Sequence, residues 1–516
     1  MKNENGIEKS AILKGQTLVN VYDYTSSTFV GGATIENGVV TFKTNGGWVV
    51  INNKLPMLKP NTNYTIFVNI LSNTLTYSSS SDNYALRVEG DTGNSGFITG
   101  FDIPKGSVGI FKKLLTTKES LSTTNLSDVR VSASANGGEI KFTYMIIEGD
   151  HSNEDIPYFE GIQSVKMPVL TTTGKNFMSS EMELGNFNSN NGSLSDNAAW
   201  QRSSDFIALK SNTQYQLNDT TCGKWFLFYD KNKNFIGSVF ARNGQFTTPY
   251  NCAYLKFAAE TSDLSYKWQI ELGNTITEYE PYKTNILTVN EEVELRGIGD
   301  VKDTIDCLTG EYTKAIYEYT FTGDEAWSIV GGNSGGYSYF TCNSSQLPVK
   351  FDYGNGANVP VICDRLPKID YTDFDKRLKS VGINLTYGVR LNFRDCNSND
   401  GATVEDLKAY LKANPTTVQY PISKTIKTVD LTIKDQDGNA MPCLSTFNDA
   451  THVSINAVDI IPQVDLEVRV DANTMANVAS QQDDLAVAQA SLSDAIDAQN
   501  DDIEMTKQAL DEVKGE

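Results

Sequence analysis

Two periodicities divide this chain. Over most of its length apolar residues come in short runs or alternate with polar ones, the pattern of strands with one or both faces buried. Tyr64-Thr-Ile-Phe-Val-Asn-Ile-Leu71 is one such run. Trp225-Phe-Leu-Phe-Tyr229 is another; it ends in Asp230-Lys-Asn-Lys-Asn234, resumes as Phe235-Ile236, and so predicts a hairpin. Further strands are expected at 316–322, 388–393, 428–433 and 452–455. A single helix is predicted near 403–413: Thr403 caps it, Glu405 and Asp406 favour its N-terminal dipole, Leu407, Tyr410 and Leu411 form its apolar face, and Asn414-Pro415 stops it.

The second periodicity is a heptad at the C-terminal end. Met475, Gln482, Gln489, Ile496, Ile503 and Leu510 fall at position a, and Val478, Leu485, Leu492, Gln499, Thr506 and Val513 fall at d. No Pro or Gly interrupts the six heptads, which predicts a coiled coil. Ile at a without consistent Leu at d, together with polar layers, predicts three strands; a ring of three Gln satisfies itself on the axis. A homotrimer is therefore expected.

An internal repeat organises the first half. Leu58-Lys59-Pro60-Asn61-Thr62-Asn63-Tyr64 matches Leu209-Lys210-Ser211-Asn212-Thr213-Gln214-Tyr215, with Trp48 and Trp200 preceding at nearly equal distance. Ile147-Glu148-Gly149 and Ile270-Glu271-Leu272-Gly273 close the copies. The predicted organisation is an N-terminal segment (1–13), a first module (14–161), a second module that repeats it (172–283), a third β-rich domain (284–463) and an acidic linker with the coil (464–516). The expected fold class is mainly β: tandem jelly-roll or β-sandwich modules plus a C-terminal trimeric coiled coil.

Charge narrows the partners. The net charge is −21, and residues 464–516 alone carry 13 acidic against 3 basic groups. That balance disfavours nucleic acid and an anionic membrane surface. No apolar run reaches the roughly 20 residues of a membrane span, and the N-terminus shows no apolar export core. Seven widely spaced Cys without a CxxC, and only His151 and His452, leave little material for a zinc site, a disulfide framework or a Ser-His-Asp triad. No metal site or catalytic residue is predicted. Asp230-x-Asn232-x-Asn234 and Asp435-x-Asp437-Gly438-Asn439 resemble the start of a calcium loop, but they read more simply as hairpin turns.

The Lys14-Gly15-Gln16-Thr17-Leu18-Val19-Asn20 opening is echoed by Thr173-Gly174-Lys175-Asn176. With Phe228-Tyr229-Asp230-Lys231-Asn232 and the Ile-Glu-x-Gly and Tyr-Glu-Pro-Tyr closings, it resembles the carbohydrate-binding-module-like jelly rolls in tail and baseplate receptor-binding proteins of phages of Gram-positive bacteria. Leu295-Arg296-Gly297 through Asp306, and Leu407 through Tyr420, resemble the next domain of those proteins. The resemblance covers about 14–460. It implies a virion protein made in the host cytoplasm, partnered by other tail or baseplate proteins, that attaches to a host surface polysaccharide and is not an enzyme. It also implies that a structural calcium is possible, without placing one.

Glycan-contact candidates are Trp48, Trp200 with Gln201 and Arg202, and Trp225 with Tyr229, because a pyranose C–H face needs a flat ring with polar neighbours. A core Trp remains the competing reading for the repeated pair. Two other functions stay open: a purely structural baseplate, tail or head-fibre component, and a polysaccharide-degrading enzyme or its accessory subunit.

Overall fold

The computed structural model describes residues 9–22, 28–46, 49–54, 58–59, 61–78, 83–90, 101–117, 126–132, 134–152, 154, 156, 158–249, 252–329, 338–350, 352, 359–366, 380–384, 388–393, 403–445, 452–456 and 465–470. The heptads from Met475 to Val513 and the ring of Trp48 lie outside these residues. The described chain is mainly β, built from many antiparallel sheets with one α-helix, Val404–Ala413. Thr403 and Asp406 close a reciprocal capping box at its start, and Leu407 and Leu411 bury its inner face.

The organisation is not a string of beads. A hub is assembled from segments far apart in sequence. Strand Lys9–Lys14 lies between Thr304–Asp306 and Asp465–Val470, pairing with both. The segment expected as a separate N-terminal segment, 1–13, therefore contributes, from Lys9 on, a strand of the hub. Ala11, Leu13, Val165, Leu170, Leu287, Leu295, Ile305, Tyr312 and Ile433 share the hub core.

The other units are insertions into this hub. The first module leaves after Lys14 and returns at Ile162–Lys166, which pairs with Thr17–Val19 at its root. The second module replaces the turn of a hub hairpin: Val169–Thr173 pairs with Thr284–Val289 down to Thr173 opposite Thr284, and the Gly174 N–H bonds the Lys283 carbonyl. The region expected as one domain, 284–463, divides in two. Its hub part pairs Glu311–Lys314 with Thr425–Thr428; beyond a register shift between Lys314 and Ile316, the same two strands run on into a separate core around Phe321, Phe340, Leu391, Leu411 and Tyr420.

The first module packs two five-stranded sheets over one core, Val88, Val129 and Ile51 facing Phe42, Ile66 and Phe142. Strand Asn63–Asn73 is nearly continuously apolar because both its faces are covered. Ile66 and Val68 enter the main core, while Phe67 packs with Met145, Ile147, Ile156 and Phe159 on the other side. The second module sets a larger sheet, in the order Met182–Leu184, Gln201–Ser203, Tyr254–Ala259, Lys224–Tyr229, Phe235–Ala241, against a three-stranded one. Phe226, Phe228, Phe257, Tyr215 and Ile270 fill the space between.

The repeated motif folds into the same network in both copies. The Tyr64 hydroxyl accepts the Lys59 N–H at 2.9 Å, and the Tyr215 hydroxyl accepts that of Lys210 at 3.0 Å. A threonine braces each loop: Thr117 donates to the Lys59 carbonyl and Thr248 to that of Lys210. Asn61 and Asn212 both take left-handed backbone, at φ 49° and 47°, which Asn tolerates better than most residues. Asn20 and Asn176 clamp the two ends of each copy together. Their Oδ1 atoms accept from Ile146 and Ile270, and their amides donate to the carbonyls of Phe159 and Glu280. This register aligns Gly149 with Gly273, so Glu148 corresponds to Leu272 and not to Glu271.

Candidate glycan-binding face

The outer face of the second module's larger sheet is the richest candidate site, and alternation along its strands builds it. In Lys224–Tyr229, Phe226 and Phe228 point into the core, so Trp225, Leu227 and Tyr229 must point out. Across the ladder Phe240 stands opposite Trp225, and Tyr254 stands opposite Tyr229. Lys256 stands opposite Leu227.

The middle of this face is covered. A small hairpin pairs Asn186–Phe187 with Leu194–Ser195 and lies over it. Phe187 packs with Leu227, Tyr229 and Ala258. The Tyr229 hydroxyl donates to the Gly192 carbonyl at 3.3 Å, and the Ser238 hydroxyl donates to that of Ser189 at 2.7 Å. At Gly192 a Cβ would meet the Tyr229 hydroxyl at 2.5 Å, so only glycine lets the hairpin settle this closely.

The structure corrects three expected contacts. Tyr229 is buried beneath the hairpin. Arg202 is held inside: its Nε donates to Glu183 at 2.7 Å, and Nη1 donates to the carbonyls of Asn186 and Ser195, so the guanidinium staples the hairpin to the sheet. Gln201 is fully buried, with Nε2 donating to the Asp263 carbonyl. For Tyr229 and Arg202 the covering segment, distant in pattern from the strand itself, decided exposure; Gln201 alternates with Arg202 and stands opposite the core residue Ala259, so it faces the core side of the sheet. Trp200 is half-buried against the same small cluster.

Two ends of the face stay open. At one, half-buried Trp225 and exposed Phe240 lie with ring centroids 5.1 Å apart and tilted. Arg242 and Glu260, an exposed pair 3.7 Å apart, flank them. At the other end, half-buried Phe206 meets Tyr229 edge-on at 5.0 Å and Tyr254 at 5.8 Å. Lys256 and Lys233 hold their ammonium groups 4.5 and 4.8 Å from the Phe206 ring centre. Burial holds the Lys256 ammonium below its usual range, against the pull of Asp205 and Glu183. Phe206, Phe240, Tyr254, Lys233 and Lys256 were not singled out from sequence. The signal for two of them was present in Tyr254-Leu-Lys256, which alternates in phase with Trp225-Phe-Leu-Phe-Tyr229.

The corresponding face of the first module is chemically different. Arg87 binds Asp102 through two hydrogen bonds, of 2.5 and 2.9 Å, and also contacts Glu89, which pairs with Arg130 at 2.6 Å. The hydrogen bond to Asp102 pushes the Arg87 guanidinium further above its usual range. Arg87 also covers the ring of Tyr84, 4.2 Å from its centre. Among the described residues this face carries a ladder of matched charges.

The two calcium-like sequences are turns. Asp230 accepts from the N–H groups of Asn232 and Asn234 and from the Asn234 amide; Asp435 accepts likewise from Asp437 and Asn439. Their carboxylates are occupied in shaping the hairpins. A built cation site of a different kind lies in the second module. Lys224 is fully buried, its ammonium 2.6 Å from Asp219 and donating to the carbonyls of Cys222 and Arg242. There the protein supplies its own cation.

No protein-family model matches the chain, and no curated protein matches it. Among the described residues no helix is long and apolar enough to cross a membrane.

Proposed function

We propose that this protein is a virion tail or fibre attachment protein that binds a host cell-surface glycan through its second module. The observation that carries the reading is the open aromatic rim of that module's outer face, Trp225 with Phe240 at one end and Phe206 with Tyr254 at the other, beside exposed charged side chains. Flat rings bind the C–H face of a sugar and charged or amide groups order its hydroxyls. Among the described residues of the first module's face, the charges are matched internally and the Tyr84 ring is covered by Arg87.

In this reading the two repeated units are jelly-roll modules of the kind found in tail proteins of phages of Gram-positive bacteria. The heptads from Met475 to Val513 then form a three-stranded coiled coil. Three copies of a weak site gain affinity through avidity alone. The test is binding of the full chain to isolated host-wall polysaccharide, compared with Trp225→Ala and Phe240→Ala. Loss of at least tenfold in the double variant, with folding intact, supports the reading. Wild-type protein that binds neither polysaccharide nor cells refutes it in favour of a purely structural virion component.

A further inference from the structure

The Phe206 end of the face differs from every other charged cluster described above. Arg87, Arg130, Arg202 and Lys224 each sit against a carboxylate. Lys233 and Lys256 do not: among the described residues neither has a carboxylate within ion-pair distance, and both ammonium groups converge on one ring. Asp205 and Glu183 act on Lys256 from beyond that distance. Glu183 bonds Arg202, and the Asp205 carboxylate accepts the Phe206 N–H at 2.7 Å. Lys256 is drawn in over the sheet, with a long contact of 3.4 Å to the Ser204 carbonyl, and Lys233 reaches over from the left-handed position of its turn, at φ 63°.

Two ammonium groups over one aromatic ring gain from the ring's face but repel each other. In a chain of net charge −21, where carboxylates are abundant, such a pair without a carboxylate at ion-pair distance is what an anion-recognising site requires before its ligand arrives. Phe206 and Tyr254 supply the apolar floor beneath it.

We propose that this end of the second module is an anion-reading subsite that takes a sugar or polyol unit carrying a carboxylate or phosphate. The C–H face of the unit rests on Phe206 and Tyr254, and its anionic group lies between Lys233 and Lys256. The proposal rests on the attachment reading and adds the chemical class of the ligand to it.

The test uses the full chain and three immobilised polymers: a poly(glycerol phosphate), a polyuronate and a neutral dextran. Variants are Lys233→Gln with Lys256→Gln, and Phe206→Ala. Lys231→Gln, an exposed lysine on the same turn, is the control. The expected result is preference for one or both anionic polymers over dextran, weakening as salt rises. The double lysine variant and Phe206→Ala should each lose at least tenfold, and the control less than twofold. Which anionic polymer binds tells phosphate from carboxylate. Equal binding to dextran, or binding to the anionic polymers that survives loss of both lysines, overturns the subsite and leaves glycan attachment standing. Absence of binding to all three polymers and to host-wall polysaccharide overturns both.

Discussion

Asp303 offers the sharpest test of how the hub is held together. It is completely buried where the ladder between Thr304–Asp306 and Glu311–Phe321 runs out, next to the register shift after Lys314. Its carboxylate continues the ladder, accepting the N–H groups of Ala315 at 2.6 Å, Ile316 at 3.0 Å and Arg296 at 3.1 Å. Asp303→Ala strands these three donors inside the protein. Each costs about 1–3 kcal/mol, and since they share one acceptor their sum is less than additive, giving about 3–5 kcal/mol for the hub. With a urea slope of about 2–3 kcal/mol/M, the midpoint should fall by on the order of 1–2 M. Cys307 lies in the hub core, so its labelling during urea titration, read by peptide mass spectrometry, reports the hub separately from the modules. Burial raises the Asp303 carboxyl from 3.8 to about 6, against the backbone N–H groups of Ala315, Arg296 and Ile316, which pull it down. A carboxyl raised on folding contributes stability that is complete below the unfolded value and lost as pH rises through the folded one. Between about pH 3 and 7 the wild-type hub should therefore lose about 3 kcal/mol from this group. Asp303→Asn cannot titrate and should lack that slope. Labelling after equilibration at each pH, with a brief pulse at one fixed pH, measures the difference. An unchanged midpoint in Asp303→Ala would refute the ladder argument, and equal pH slopes in wild type and Asp303→Asn would refute the assigned titration.

Three further outcomes are expected. Lys224→Met leaves half-buried Asp219 without its cation and should destabilise the second module by about 1–3 kcal/mol, read by labelling of Cys252 in that module's core; a change below 1 kcal/mol would show the pair to be dispensable. Burial would raise the Asp219 carboxyl, but hydrogen bonds from Lys224, Thr221 and Cys222 outweigh it and hold the group well below the carboxylate range, so its contribution is present at neutral pH and is lost only as pH falls below about 4. Tyr64→Phe and Tyr215→Phe each remove the acceptor of a loop N–H, and should cost their own module a similar 1–2 kcal/mol or so, measured by hydrogen exchange; a cost in one module only would break the equivalence of the two networks. Light scattering should give three chains for the full protein and one for a chain ending after Val470, a cut that keeps strand Asp465–Val470 against Lys9–Lys14; a truncated trimer would assign assembly to the β units.

Local chemistry was legible in the sequence and long-range placement was not. The Lys-x-Asn-Thr-x-Tyr repeat marked a structural network because both of its anchors, the tyrosine hydroxyl and the left-handed Asn, act within a few residues. The strand of Trp225–Tyr229 was readable from composition, and so was the need for one face of it to be core. That the other face is half covered depends on Arg202 and Gly192, which bring in the hairpin from residues 186–195. Nothing in strand periodicity encodes that contact. The insertions were hidden for a similar reason: Thr173 and Thr284 are partners across a whole module, and pairing at that separation leaves no trace in a local window. The offset of Glu148 against Glu271 is a smaller case, in which a similar Ile-Glu pair masked a shift of one residue that turns the side chain to the opposite face.

Insertion changes what the modules do mechanically. A bead on a single linker rotates freely about it, and the free volume it sweeps dilutes its site. Here each module is rooted by two strands. The second stands on Thr173 and Thr284, joined by a side-chain contact as well as the ladder, and Thr284 bonds back to the Thr172 carbonyl. The first stands on Thr17–Val19 and Ile162–Ser164, and at its base Thr17, Ser164 and Gln419 form a buried knot of hydrogen bonds that reaches strand Thr416–Thr428 of the third unit. A load applied to a bound ligand therefore enters the hub through paired antiparallel strands and not through one flexible joint. If the chain assembles as the proposed trimer, three sites held in this way would keep a fixed spacing, and a polymer long enough to reach two of them would meet the second at high effective concentration. The same stiffness would make such sites unforgiving of spacing, and under the proposed attachment reading selectivity for chain length should follow from the hub as much as from the residues proposed to touch the sugar.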